Sequence, residues 1–303
     1  MHRTVTVGLD GSPESLAAAD WAAREALLRD LPLRLVNAWE WQPSAFAPEA
    51  GLTVPVPPTD QQRAEARRVL DEARERVARH HPGLRIHADE IPGQPVPALL
   101  KAAEDAELLV LGSRGLSRVT GYLIGSVALS VLAWSARPVV LVRADGGTGE
   151  EPLADDSAAG SAAPGEVVLG LDLHKPSDTV IEFAFDAASR RAADLRVVHG
   201  WTLPPYHYGG EFMPGVTAET ADRVRHELTD VLRPWQAKFP AVEVHAQATV
   251  GGAGAHLIDA SRGAALVVVG RQVRRAPLGT HIGPVTQALL HHAVAPLAVI
   301  SHN

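Results

Sequence analysis

Val5-Thr6-Val7-Gly8-Leu9-Asp10, six residues into which the chain enters almost at once, returns as Val167-Val168-Leu169-Gly170-Leu171-Asp172. At the same separation Leu33-Arg34-Leu35-Val36-Asn37-Ala38-Trp39 returns as Leu195-Arg196-Val197-Val198-His199-Gly200-Trp201. Further on, Leu108-Leu109-Val110-Leu111-Gly112 matches Leu266-Val267-Val268-Val269-Gly270, and Pro138-Val139-Val140-Leu141-Val142 matches Pro296-Leu297-Ala298-Val299-Ile300. Self-similarity on this scale is the mark of one domain written twice. The 303 residues suit that reading, since domains average about 150 residues.

The copies are expected at 1–143 and 166–303, joined by residues 144–165, a run rich in Gly, Ala, Ser and acids that has too little apolar surface to order itself. That run holds Asp145, Glu150, Glu151, Asp155 and Asp156 and no Lys or Arg, so it supplies five of the seven net negative charges. The remainder is close to neutral, which gives no electrostatic footprint for nucleic acid and no polybasic face for a membrane. No apolar run approaches the roughly 18 residues of a spanning helix, and the N-terminus reads as a strand and not as a leader. With no cysteine in the chain, disulfides, thiolate zinc sites and a cysteine nucleophile are excluded. A cytoplasmic protein is the expectation.

Within the first copy, short apolar runs alternate with segments of helical period, the pattern of a parallel sheet covered on both faces. Strands are expected at 4–9, 33–39, 84–91, 107–111 and 138–142. Ser12 and Pro13 form an N-cap and first-turn pair, and Leu16, Ala19, Ala23 and Leu27 recur on one face as far as Arg29. A second helix is expected over 61–79 with Val69, Leu70, Ala73 and Val77 inward, a third over 95–104, and a fourth from near Gly125. In open α/β sheets ligands sit at the carboxyl ends of the strands, where Asp10, Ala38 and Gly112 fall.

Beyond the fourth strand the chain reads Gly112-Ser113-Arg114-Gly115, then nine residues on reaches Gly125-Ser126-Val127. Glycine lets backbone approach a ligand without a Cβ in the way. A helix starting at Gly125 aims its N–H groups and positive dipole end at an anion, for which phosphate is the obvious candidate. Ser126 adds a hydroxyl, and Arg114 and Arg118 could offset charge if turned inward. Spacing alone leaves an equal alternative, in which Gly112 and Gly115 shape a strand exit and Gly125-Ser126 caps a helix.

This glycine pattern, with the early Val-Gly-Leu-Asp-Gly-Ser and the closing Arg137-Pro138-Val139-Val140-Leu141-Val142, resembles the universal stress protein family, specifically its tandem two-domain members. The resemblance covers nearly the whole chain apart from the linker and the loops after each second strand. It implies two tandem doubly wound α/β domains of the adenine nucleotide alpha hydrolase-like kind, each with a five-stranded parallel sheet in the order 3-2-1-4-5. It also implies ATP, with Mg or Mn as a candidate companion, held without a Walker lysine; no Gly-x-x-x-x-Gly-Lys-Ser/Thr occurs in the chain. Carried over residue by residue, Asp10 with Gly8 and Leu9 would meet the nucleoside and Ala38 the adenine. Leu111, Gly112, Gly115, Gly125, Ser126 and Val127 would hold ribose and phosphates. Pairing of the two copies within the chain through their fifth strands is a further implication, and a homodimer is a candidate assembly. Cyclic AMP or another adenine nucleotide stays open as the ligand.

The second copy keeps Asp172, Gly270 and Gly283, but Val273 stands where Gly115 does and Pro284 where Ser126 does. A β-branched residue suits positive φ poorly, and proline has no N–H to offer a phosphate, although it opens a helix comfortably. One ATP per chain, in the first copy, is the expectation. Arg271, Arg274, Arg275 and His281 crowd the second loop, as a solvated basic loop or as side chains that hold an anion.

Fourteen histidines invite a metal reading, but His80-His81 and His291-His292 are adjacent on helices, about a hundred degrees apart and wrong for shared ligation. Trp39, Trp41, Phe46 and Tyr206-His207-Tyr208 flank the loops after the second strands, as loop packing or as partner surface. No acid, base and nucleophile set assembles by spacing. The leading expectation is therefore a stress or regulatory protein whose ATP occupancy changes its shape or partners, against a slow ATP hydrolase or a nucleotide-independent interaction module.

Overall fold

A computed structural model describes residues 3–39, 60–113, 125–144, 165–201, 214–273 and 282–302. They divide into two compact units, one before and one after the linker. The linker itself, Gly115, Arg114, Arg118, Arg274, Arg275, His281, Trp41, Phe46 and residues 206–208 lie outside the described residues.

The N-terminal unit runs β1 (Thr4–Leu9), α1 (Pro13–Arg29), β2 (Leu33–Trp39), α2 (Asp60–His80), β3 (Ile86–Pro92), α3 (Pro95–Glu104), β4 (Ala106–Ser113), α4 (Ser126–Trp134) and β5 (Val139–Arg143). Its strands lie in the order β3-β2-β1-β4-β5 and every pairing is parallel. The C-terminal unit repeats the plan with β6 (Val167–Gly170), α5 (Asp178–Arg191), β7 (Leu195–Trp201), α6 (Pro214–Lys238), β8 (Val244–Val250), α7 (Ala253–Ala260), β9 (Leu266–Gln272), α8 (Pro284–His292) and β10 (Leu297–His302). Its order is β8-β7-β6-β9-β10, again parallel throughout. Both units thus have the expected 3-2-1-4-5 order, with the central strands largely apolar because helices cover both faces. Val5, Val7, Leu33, Leu35, Leu108 and Val110 are fully buried in one unit, and Val167, Leu169, Leu195, Val197, Leu266 and Val268 in the other.

Local chemistry explains the element ends. Ser12 caps α1, its Oγ accepting from the Ser15 N–H at 3.2 Å ahead of Pro13. Asp30 ends the helix at φ 51, and Ala192 ends α5 at φ 47. The inward residues of α2, Val69, Leu70, Ala73 and Val77, are buried as expected. The face of α1 is rotated from the expected one. Ser15, Ala18, Ala19, Ala22, Ala23 and Ala26 meet the core, whereas Leu27 is 50% exposed. Small side chains let α1 lie close on the sheet, so the larger leucine is left at the rim. Strand β4 also runs past Leu111, since Gly112 and Ser113 pair with Val142 and Arg143. No described helix is long and apolar enough to cross a membrane.

Candidate functional site

At the carboxyl ends of β1 and β4 the N-terminal unit has a cavity of about 240 Å³. Its walls include Gly8, Leu9, Asp10, Ala38, Leu111, Gly112, Gly125, Ser126 and Val127, and also Ser12, Ser15, Pro95, Leu99 and Ala128. The structure thus brings together the described residues that the sequence singled out. The added ones carry a signal in retrospect: Ser12 and Ser15 belong to the α1 cap, and Pro95 and Leu99 to the start of α3, which faces the same strand ends.

Asp10 organises this end of β1. Its Oδ1 accepts from the Ser12 N–H at 3.0 Å and the Ser12 hydroxyl at 2.5 Å, and the Ser15 hydroxyl donates to the Ser12 carbonyl at 2.9 Å. Gly11, at φ +80 and with Val69 3.1 Å from where a Cβ would lie, makes the turn that permits this. From β2, Asn37 Nδ2 donates to the Leu9 carbonyl at 3.0 Å and fixes the strand end from below. Opposite them, Gly125 is the N-cap of α4 without a side-chain cap bond. Intrahelical bonding begins only at Leu129, whose N–H donates to Gly125 O at 3.0 Å. The first-turn N–H groups of Ser126, Val127 and Ala128 are therefore the donors that a helix start offers an anion.

Gly112 is glycine for another reason than ligand approach. A Cβ there would lie 2.6 Å from the Glu14 carbonyl carbon and 2.8 Å from the Ser15 nitrogen, so the first turn of α1 presses on β4 at that point. Gly8 in turn leaves room for Leu111 and Leu99, which would stand 2.6 and 2.8 Å from its Cβ.

The corresponding cavity of the C-terminal unit is larger, about 580 Å³, and differently lined. Helix α5 is N-capped by Ser177, the counterpart of Ser15, so its first turn is missing relative to α1. Residues His174 and Lys175 take its place and line the cavity. With that turn gone, Gly270 is covered by the His302 ring, whose Nε2 would be 2.8 Å from a Cβ at 270. Arg271 replaces Ser113; it is 5% exposed, and burial pushes its guanidinium below the ordinary arginine range. His199 replaces Asn37 and keeps its task, with Nδ1 donating to the Leu171 carbonyl at 2.9 Å. The Val273 N–H, at the position of Gly115, donates to His302 O at 2.7 Å, and Pro284 opens α8. Two backbone donors that the first copy's pattern would offer are accordingly engaged or missing here.

The paired histidines 291 and 292 have ring centroids 6.3 Å apart. Among the described residues, Asp194, Glu243 and His245 place ligand-capable atoms within 4.8 Å of one another, all exposed and away from either cavity.

A model of the "Universal stress protein family" matches residues 1–143 and 165–301. Universal stress protein Rv2623 of Mycobacterium tuberculosis is 32% identical over 305 residues, spanning 97% of this chain and 95% of that protein. The crystal structure of a universal stress protein from Archaeoglobus fulgidus is similar in fold, with a TM-score of 0.68 at 17% identity over 99% of this chain and 98% of its own. A universal stress protein crystallised in complex with cAMP is 31% identical, covering 47% of this chain and 98% of its own, with a TM-score of 0.35.

Proposed function

The chain belongs to the universal stress protein family, and on that premise we propose that its N-terminal domain binds ATP and that occupancy governs the shape or partners of a stress-response regulator. One observation carries the reading: Asp10, Ala38, Leu111, Gly112, Gly125, Ser126 and Val127, drawn from five separate elements and turns, line a single cavity. The Asp10 carboxylate is an acceptor only, so it suits ribose hydroxyls or an amine. The α4 N–H groups and the Ser126 hydroxyl suit the phosphates. Gly115 completes the pattern from outside the described residues. Asp10 is the charged group among the described wall residues, and the proposal therefore includes Mg or Mn with the phosphates as counter-charge.

The test is the nucleotide content of protein purified without added ligand, released by heat or acid and identified, followed by titration with ATP-Mg. Adenine nucleotide in the released fraction and saturable ATP binding are expected. An empty preparation that also ignores added ATP-Mg contradicts the proposal. Cyclic AMP as the competing ligand is separated in the same titration by its affinity relative to ATP.

A further inference from the structure

The C-terminal cavity has kept its place in the fold while exchanging its chemistry. At about 580 Å³ it falls within the roughly 300–1,000 Å³ of small-molecule sites. Its described walls carry Lys175 and Arg271 with His174 and His302, against the single acid Asp172; the N-terminal cavity has Asp10 and no described cation. We propose that this cavity receives a small hydroxylated organic dianion, a phosphate monoester or a dicarboxylate, held by the side chains of Lys175 and Arg271, with Asp172 accepting from the ligand hydroxyl.

A triphosphate nucleotide fits this wall poorly. Pro284 has no N–H to give, and the Val273 N–H is spent on the His302 carbonyl at 2.7 Å. At the adenine end, Gly200 replaces Ala38, and Ala253 N and Cα lie 2.6 Å from where a Cβ would stand. Helix α7 therefore rests on the strand end that the other domain holds apart with an alanine. Charge has moved in the opposite sense. The missing first turn of α5 brings Lys175 to the cavity, and Arg271 offers the planar fork that matches carboxylate and phosphate alike. Asp172 Oδ1 accepts from the His174 N–H at 3.0 Å, which holds the carboxylate at the mouth.

The test is calorimetric titration of the full chain with ribose 5-phosphate and, separately, with malate, each in saturating ATP. One equivalent of dianion is expected, and the tighter of the two probes identifies its class. Arg271→Met should weaken binding about tenfold or more, as expected for losing hydrogen bonds to a charged group, and the exposed Lys175→Gln about threefold. Lys175→Gln keeps the test intact should Arg271→Met fail to fold. No binding of either probe, full affinity in both variants, or displacement of the dianion by ATP would each overturn the proposal. Repeating the titration without ATP separates the two sites: a chain that ignores ATP and still binds the dianion contradicts only the N-terminal reading.

Discussion

The two cavities occupy the same place in the same fold and are built by opposite means. In the N-terminal domain the described wall joins Gly8, Gly112, Gly125, Ala38 and the start of α4 to apolar Leu9, Leu99 and Leu111, with Asp10, its one charged group, held in a tight turn by Ser12. In the C-terminal domain helix α5 starts a turn late, proline opens α8, and Lys175, Arg271 and His302 enter the wall. The difference shows that two backbone N–H donors can be removed or engaged, by Pro284 opening α8 and by the Val273 N–H bonding His302 O, while the strand order carrying them stays unchanged. It also shows that the two glycines at the fourth-strand end, alike in sequence, answer different neighbours.

The sharpest way to break the comparison is at the end of α1, where Glu25 and Arg29 form a buried pair at 2.6 Å. The counterpart of Glu25 is Ala187, and Arg191 there donates to the Ala187 carbonyl at 3.0 Å. Glu25→Ala should cost about 3–4 kcal/mol, because a buried guanidinium loses its carboxylate, seen in urea unfolding of the N-terminal domain. Next, Gly112→Val should cost about 3 kcal/mol, since its Cβ meets the backbone of α1. Gly270→Val should cost less, about 1 kcal/mol by the same measurement, because its Cβ meets the side chains of His302 and Val180 and not backbone. Gly112→Val is for that reason a stability probe and not a clean nucleotide probe.

Ser126→Pro copies the residue of the second domain into the first. Proline fits the first helical position, so unfolding should shift little, while ATP affinity should drop about thirtyfold through the lost N–H and hydroxyl. An unchanged affinity would mean that the start of α4 does not hold the phosphates. The smallest effect is at the helix ends. Ala192→Gly should stabilise the C-terminal domain by about 1 kcal/mol by relieving an alanine at φ 47. Asp30→Gly should gain less in thermal unfolding, since aspartate tolerates the left-handed region better.

The duplication and the strands were legible because a buried parallel strand is a short apolar run and the chain writes each run twice, whereas the strand order came through the family resemblance. Val5 to Leu9 and Val167 to Gly170 need nothing more than their own pattern. The wall residues Gly8, Asp10, Ala38 and Gly125 were legible through the resemblance, which adds what spacing cannot. What was not legible depends on packing between elements. Nothing in Gly112 itself says that Glu14 and Ser15 lie over it. The period of α1 admits Leu16 and Leu27 as its inner face, and only the close approach of the sheet selects the alanines between them. Likewise nothing in His174 and Lys175 themselves says that α5 starts only at Asp178 and leaves both on the cavity wall.

The central claim, that the first domain carries the nucleotide and the second does not, is tested most directly by the stoichiometry of ATP-Mg binding to the full chain in a calorimetric titration, repeated with Ser126→Pro. One equivalent in the natural sequence and loss of that equivalent's affinity in the variant is the predicted result. Two tight equivalents, or one that Ser126→Pro leaves untouched, would contradict the account.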